Sequence, residues 1–253
     1  MLRVNSDQKG RQSKMVNSTE SELGGGTQTA TRKKRAARAP AAARSDMREK
    51  IKQVATELLI SRGFNGTSYG DIATRLGVTT TNIHYHFGNK QALVDEVVAD
   101  YVAEARGRHL RIWLDQTTSL QEKLQKVVEY NFERYRQFNP TDHGTQSWSL
   151  IGRLRLESDV LSESARDMLA SFTSSIHEGI RLAVDTAWHN GELRDDTPRE
   201  DLAFLLINIV NSSSVFTHGT GGFDKLKLFF DAFSRVMLSA YAPAPKARRR
   251  SSK

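Results

Sequence analysis

The chain has 253 residues, a formal net charge of +8 and no cysteine, and these facts limit what the protein can be. The length allows one or two domains with a sizeable core. The absence of cysteine excludes disulfides and thiolate metal sites, and the sequence predicts a cytoplasmic protein without membrane partners, because no apolar run approaches the roughly 20 residues of a bilayer span.

The positive charge lies at the two ends of the chain. Residues 1–44 hold ten Lys and Arg against three Asp and Glu, and residues 242–253 hold five basic residues and no acid, which leaves −4 for the residues between them. The first segment has almost no large apolar side chains and cannot repay the entropy of ordering. We predict disordered basic segments over 1–44 and 242–253. The N-terminal one is either a solvated tail or an arm that contacts DNA.

Two amphipathic helices are predicted after this arm. Apolar residues at helical spacing indicate a first helix over about 46–62, and Gly63 follows as a stop. Ser68 and Asp71 form a capping-box pattern for a second, short helix that ends at Gly77.

The stretch "TTTNIHYHF" (79–87) predicts a third helix, capped by Thr79 or Thr80 and ended by Gly88. Ile83 and Phe87 lie four residues apart and should face inward. A short helix, a glycine turn and another short helix is the helix-turn-helix pattern. The outward residues are polar but not strongly charged: Thr80, Thr81, Asn82, His84, Tyr85 and His86.

This polar face allows three interpretations. His84 and His86 would point about 200° apart on a helix, which disfavours a metal site because chelating helical pairs are three or four residues apart. A catalytic histidine needs a pocket and an orienting carboxylate, and a short surface helix supplies neither. A recognition helix in a DNA major groove fits best, because these side chains donate to and accept from base edges and phosphates. We predict no enzyme activity, no cofactor and no metal.

Residues 67–93, "TSYGDIATRLGVTTTNIHYHFGNKQAL", resemble the DNA-binding segment of the tetracycline-repressor-like (TetR) family of bacterial regulators. The resemblance rests on a Gly-Phe-x-x-Thr entry beginning at Gly63, Gly77-Val78 and the aromatic-His-Phe block that ends at Phe87. It implies an all-α fold with an N-terminal three-helix DNA-binding domain over 45–105, which includes the start of a fourth helix. A helical effector-binding and dimerisation domain would follow over 106–241.

The resemblance also implies roles for single residues. Base reading would fall to one group of side chains on the third helix, and phosphate contacts to a second group on and around it. The first group is Thr80, Thr81, Asn82 and His84, and the second is Thr67, Tyr85, His86 and Lys90. Family members usually carry tyrosine at position 84 and often glycine at position 81, and both differences bear on the operator sequence rather than on the fold. For His86, the alternative is a partly buried ring bonded to the backbone.

The rest of the chain is predicted to be helical. Apolar periodicity indicates a helix from Leu120, a shorter one over 147–156, a long one over 165–187, one begun by Asp196 or Thr197 with Pro198, and a last one over about 223–240. The last two are apolar on nearly every side, so they must be covered either within the core of one chain or by a second copy. A homodimer with a four-helix interface would provide this cover. The predicted interface residues are Leu202, Leu206, Ile209, Phe216, Phe229, Phe233 and Met237.

The resemblance further implies that a small molecule binds the second domain and releases the dimer from a near-palindromic operator in double-stranded DNA. The predicted pocket residues are Trp113, Tyr130, Trp148, Arg153, His177 and Trp188. Two alternatives remain open. One is a DNA-binding regulator without a small-molecule effector, controlled by a protein partner or acting as an activator. The other is a helical enzyme that uses His84, His86, His143 or His177.

Overall fold

The computed structural model of the chain describes residues 41–141, 144–217 and 222–244, and over these ranges it contains helices and no strands. This confirms the predicted all-α class. Three helices come first: α1 (Ala41–Arg62), α2 (Tyr69–Leu76) and α3 (Thr80–Phe87). We call these three helices the reading head.

The helices of the reading head begin and end where local sequence signals predict. The Ser68 side chain accepts a hydrogen bond from the Asp71 N–H, and the Asp71 carboxylate accepts one from the Ser68 N–H at 2.9 Å, so the capping box is complete. Thr79 caps α3 through the Asn82 N–H. Gly77, in the turn between α2 and α3, has a φ of 65°, which a residue with a Cβ adopts only under strain.

Six α-helices follow within the described residues, and together they form the body. They pack mainly as α4 along α7, α7 along α8, and α6 between the reading head and the other helices of the body. Their bounds are α4 (Lys90–Trp113), α5 (Leu120–Phe138), α6 (Leu150–Arg155), α7 (Glu163–His189), α8 (Arg199–Phe216) and α9 (Gly222–Phe233). A π-helical turn, Ser234–Leu238, continues α9.

The core runs without a break from the reading head into the body. Ile83 is fully buried and Phe87 is 6 % exposed, so both predicted inward residues of α3 anchor it against the other helices. Burying side chains of this size stabilises a fold by about 1.5–3 kcal/mol each. These two side chains therefore fix which face of α3 remains outside.

Several helix bounds differ from the predictions. α1 begins at Ala41 rather than near residue 46, because the three alanines at 41–43 favour helix. α6 covers 150–155 and is shorter than predicted. The expected side-chain cap of α8 is wrong, because Thr197 instead donates its hydroxyl to the Arg194 carbonyl at 2.6 Å.

Parts of two predictions lie outside the described residues, namely 1–40 of the basic arm and 245–253 of the basic tail. Within the described ranges, no helix combines the length and the hydropathy that a membrane crossing requires.

Candidate nucleic-acid interface

The outward side of α3 is open to solvent over most of its length. Thr80, Thr81, His84 and Tyr85 are exposed, whereas Ile83 and Phe87 face the core. Eight residues of helix make only about two turns. Because both turns are anchored from below, the exposed side chains form a short polar ridge, which we call the α3 ridge.

The His84 ring has a fixed orientation. Its Nδ1 lies 2.6 Å from the Gly88 carbonyl oxygen, and its ring meets the Tyr69 ring edge-on at 4.7 Å. A carbonyl only accepts, so Nδ1 carries a proton and donates it. In the neutral imidazole this leaves Nε2 as an acceptor, suited to a donor such as the amino group of cytosine or adenine.

Tyr85 and His86 lie beside two arginines of α1. The Arg44 guanidinium sits 4.7 Å from the centre of the Tyr85 ring. His86 is half-buried, and its Nδ1 is shielded from solvent without a hydrogen-bond partner. Burial, followed by the nearby charges of Arg44 and Arg48, lowers the pKa of His86. The ring is therefore partly buried, as in the alternative interpretation, but it is not bonded to the backbone.

Arg48, on α1, connects this helix to α3 and α4. Its guanidinium donates to the His86 carbonyl and to the Glu96 carboxylate, and it lies 4.1 Å from the centre of the Phe87 ring. It thereby holds the carboxyl end of α3 to α1 and α4. Arg48 is not among the residues predicted from the sequence, although its spacing of four from Arg44 places both arginines on one face of α1.

Three predicted contact residues are less available than the sequence suggested. Thr67 is 4 % exposed and donates its hydroxyl to the Gly63 carbonyl at 2.8 Å, so a direct phosphate contact from this side chain is wrong for this conformation. Asn82 is half-buried, and its Oδ1 is shielded without a partner. Lys90 Nζ lies 4.0 Å from the centre of the Phe64 ring, and burial lowers its pKa.

Besides α4, the short helix α6 and the residues that follow it also connect the body to the reading head. The Phe64 N–H donates to Glu157 Oε2 at 2.6 Å, and Arg153 Nη2 donates to the Arg62 carbonyl at 3.1 Å. Arg153 Nε and Glu157 Oε1 also pair at 2.9 Å. Gly63 has a φ of 75° and leaves no room for a Cβ beside the Glu157 carboxylate. The turn after α1 is thus bonded directly to the body, and no local pattern in the sequence predicts these contacts.

The outer face of α8 and α9 is apolar, but most of its residues differ from those predicted. Leu202, Leu206, Ile209 and Phe233 are at most 6 % exposed within one chain, so they cannot form the outer surface of a dimer interface. Phe216 and Met237 are half-buried, and Phe229 stacks on Phe216 with 4.6 Å between ring centres. The exposed apolar residues are Phe204, Leu205, Val215, Leu228, Phe229 and Val236, which we call the α8–α9 apolar face.

The six predicted pocket residues do not line one site. Trp148 donates its Nε1–H to Thr217 Oγ1 at 2.7 Å at the carboxyl end of α8, whereas Trp188 lies 4.3 Å below the Arg199 guanidinium at the other end. An 18-residue helix separates these ends by about 27 Å. Trp113 is buried in the core, Tyr130 contacts His109, Arg153 faces the reading head, and His177 lies between α7 and α8. A single pocket built from all six is therefore wrong.

The described residues show no cluster of three side chains suited to a metal ion. His84 and His86 contact different neighbours, and no carboxylate orients either of them. His177 pairs with Asn211, and His143 lies outside the described residues.

Comparison with known proteins places this site in a family. Residues 51–97 match the family model of bacterial regulatory proteins of the tetR family. The transcriptional repressor KstR2 of Mycolicibacterium smegmatis is 34% identical over 86 residues, covering 34% of this chain and 42% of that protein. This alignment thus spans less than half of that relative. The repressor BepR of Brucella suis is 24% identical over 209 residues, covering 79% of this chain and 94% of that protein.

Solved structures share the fold over most of the chain. A TetR family transcriptional regulator from Agrobacterium tumefaciens superposes with a TM-score of 0.65 at 22% identity and covers 79% of this chain and 100% of its own. NemR of Escherichia coli in its reduced form gives 0.63 at 16% identity, covering 79% and 99%. Together with the helix-turn-helix geometry of α2 and α3, the family model identifies residues 51–97 as a domain of the tetR family of bacterial regulatory proteins, and the solved structures show that most of the rest of the chain shares their fold.

Proposed function

We propose that this protein is a dimeric, sequence-specific DNA-binding transcriptional regulator that represses from a near-palindromic operator and is released by a small-molecule effector. The observation that carries the proposal is the α3 ridge, a polar helix face held outward by Ile83 and Phe87. A recognition helix needs this combination, because its base-reading side chains must enter the major groove while its backbone stays fixed to the fold.

The contacts follow from position on this ridge. Thr80, Thr81 and His84 lie where base edges would be read, and Asn82 would join them if its amide turned outward. Tyr85 and His86 would contact phosphates, with Arg44 close enough to add a charge. Residues 45–105 would act as the DNA-binding domain and 106–241 as the effector-binding and dimerisation domain, with the boundary inside α4.

The α8–α9 apolar face supports a homodimer. Phe204 is 66 % exposed, Val236 66 % and Leu228 60 %, and a face of this kind marks a protein interface more often than a free surface. A two-fold dimer would present two copies of α3 about 34–36 Å apart, which matches successive major grooves and requires a near-palindrome. The names of the relatives KstR2 and BepR, both repressors, favour repression over activation.

Release by an effector requires that a ligand favour the conformation that does not fit DNA. The hydrogen bonds from Arg153 and Glu157 to the turn after α1 would couple the body to the reading head, because movement of α6 would shift the reading head. The body also holds shielded polar atoms without partners, among them His109 Nδ1, Trp113 Nε1 and Trp188 Nε1. Such atoms are candidates for contacts with a ligand.

The test is fluorescence anisotropy with duplex DNA from upstream of the protein's own gene, titrated at several fixed salt concentrations. We expect a specific site bound at least about 1,000-fold more tightly than scrambled DNA of equal length. A variant with Thr81 and His84 changed to alanine should no longer prefer the specific site, but it should retain the weak, salt-dependent binding to both duplexes. Equal affinity of the unaltered protein for both duplexes would refute the proposal.

A regulator without a small-molecule effector is the second candidate, and one observation favours it. The six side chains predicted to line a pocket are dispersed through the body. Native mass spectrometry of the purified dimer distinguishes the two candidates. A bound small molecule whose removal changes operator affinity supports effector release, whereas a ligand-free dimer whose affinity changes only with a protein partner supports the second.

A further inference from the structure

The side of α6 that faces away from the reading head packs against α7 and α8. At Gly152 the helix approaches α8 so closely that a Cβ would overlap the Ser214 hydroxyl. Three residues later, the Arg155 guanidinium reaches α7 and donates to the Thr173 hydroxyl. Arg155 therefore extends from α6 toward α7.

Arg155 is a half-buried cation without a compensating acid. Its pKa is lowered by burial, and no carboxylate within ion-pairing distance offsets this in the part of the chain that the structure describes. Its neighbour Arg153, two residues earlier, pairs with Glu157 at 2.9 Å. Removing a charge from water is costly unless another charge compensates it, so a half-buried arginine without an ion-pair partner is a candidate anion ligand.

A histidine and an amide lie next to this arginine. His177 follows Thr173 by four residues and so occupies the same face of α7. Asn211 Nδ2, on α8, donates to His177 Nε2 at 2.9 Å, which leaves the His177 proton on Nδ1 as a further donor. The pKa of His177 is lowered by burial and then by Arg155 and Arg181, which indicates that the surroundings are positive.

We propose that Arg155, Thr173, His177 and Asn211 form a binding site for an acidic small molecule, and that a carboxylate or phosphate group of this molecule pairs with the Arg155 guanidinium. The inference rests on the proposed function in one respect, since it assigns this molecule as the effector. It replaces the dispersed pocket with one cluster, which retains His177 and adds three residues. An arginine fork is the side-chain group best suited to either acid.

The position of the site explains how binding would reach DNA. Arg153 and Arg155 project from the same six-residue helix, one toward the Arg62 carbonyl and the other toward Thr173. An anion drawn between α6 and α7 would reposition Arg155 and with it α6. The bonds from Arg153 and Glu157 would then transmit this displacement to the turn after α1.

The test is isothermal titration calorimetry on the full chain at constant ionic strength, with benzoate and inorganic phosphate as anionic probes and benzamide as the uncharged control. We expect one of the two anions to bind and benzamide not to bind, and Arg155→Gln to weaken the binding at least about tenfold. Arg111→Gln removes an equal charge from an exposed position on α4 and should leave the affinity unchanged. Circular dichroism shows whether each variant is folded.

The proposal is overturned if the anion binds Arg155→Gln as tightly as the unaltered protein, or if Arg111→Gln weakens binding to the same extent. It is also overturned if neither benzoate nor phosphate binds. If neither anion binds and Arg155→Gln converts the dimer to a monomer in sedimentation, a carboxylate of a second copy is the partner instead. DNA anisotropy on the same samples separates the two proposals. Anion binding by a protein without operator specificity would keep the site and reject its role as an effector site.

Discussion

The α3 ridge and the α8–α9 apolar face are opposite in chemistry, although both are exposed. The first presents threonine, histidine and tyrosine side chains on a helix that Ile83 and Phe87 anchor from below, and contacts with Gly88 and Arg44 hold the His84 and Tyr85 rings. The second presents phenylalanine, leucine and valine side chains at 39–66 % exposure. The ridge suits a polar, charged partner such as DNA, whereas the apolar face suits a copy of itself. One chain therefore carries two surfaces without a partner, and the proposed function requires that DNA bind the ridge and a second copy bind the apolar face.

The largest effect is expected from breaking the apolar face. Phe204→Asp should raise the dimer dissociation constant by about 100-fold or more, because it places a charge where an aromatic side chain would be buried. Operator affinity should fall with it, since one reading head makes only half of the contacts. Sedimentation velocity measures the dimer. Leu156→Asp alters a leucine that is 74 % exposed outside this face and should leave the dimer intact. Equal dimer dissociation constants for the two variants would show that the apolar face is not the dimer interface.

Inside the body, His109 makes stability depend on pH. Burial lowers its pKa to about 4, whereas an unfolded histidine titrates near 6.5. The unfolded chain then binds more protons between these values, so the contribution is complete above pH 6.5 and is lost as pH falls toward 4. The full effect is about 3 kcal/mol. Tyr130, the titratable group packed on the ring, has its pKa raised to about 12 and remains neutral.

Replacing His109 by phenylalanine should remove this dependence while keeping an aromatic ring against Tyr130 and Phe172. Urea unfolding at pH 7 and pH 4.5 gives the two free energies for each protein. We expect the loss of stability between these pH values to be smaller in the variant by about 2 kcal/mol. An equal loss in both proteins would show that His109 is not the group responsible.

The two surfaces also differ in how far the sequence alone predicts them. The bounds of α2 and α3 follow from Ser68, Thr79 and Gly77, because caps and turns depend on neighbours a few residues away. The buried side of α8 could not be predicted, since a helix that is apolar on nearly every side gives no periodicity. Leu206 is buried and Phe204 exposed only because α7 packs on one side.

Tertiary contacts account for the other residues that the sequence could not place. Thr67 is predicted from the resemblance to contact a phosphate, but its hydroxyl donates to the Gly63 carbonyl once the turn closes. Arg48 looks like a solvated helix residue until α3 and α4 lie against it. The Arg155 cluster draws on three helices, and no local spacing links its members.

In the reading head, Arg48→Met should lower both stability and operator affinity. The variant keeps an apolar contact with Phe87 but loses the bonds to the His86 carbonyl and to Glu96. We expect a loss of about 1–2 kcal/mol in the free energy of unfolding and about a tenfold loss in operator affinity, since α3 would be held less firmly. Lys50→Met removes a solvent-exposed ion pair on the same helix and should change unfolding by at most about 0.5 kcal/mol. If the two variants lost similar amounts of unfolding free energy and operator affinity, Arg48 would not be the residue that positions α3.

His84→Ala should alter which operator base is preferred rather than the overall affinity for DNA. The fixed ring presents Nε2 as an acceptor, and losing one base contact costs about 1–3 kcal/mol at that base pair. Anisotropy with operators substituted at single positions would locate the affected pair. Discrimination should fall at that pair and remain at the others, and the dependence on salt should be unchanged. A uniform loss across all operators would instead assign His84 to structure or phosphate contact.

The smallest effect is expected at Lys90, where two roles compete. Its ammonium lies over the Phe64 ring and its pKa is lowered by burial, yet it stands at the first residue of α4 beside the ridge. If it contacts one phosphate, Lys90→Ala should weaken binding to every sequence by a similar factor and reduce the slope of log affinity against log salt by about 0.9. Because the contact with Phe64 must be broken first, we expect only a two- to fivefold loss, on the order of 0.4–1 kcal/mol. An unchanged slope with lowered stability would make Lys90 a packing residue of the reading head, and the phosphate contacts would then fall to Tyr85, His86 and the arginines of α1.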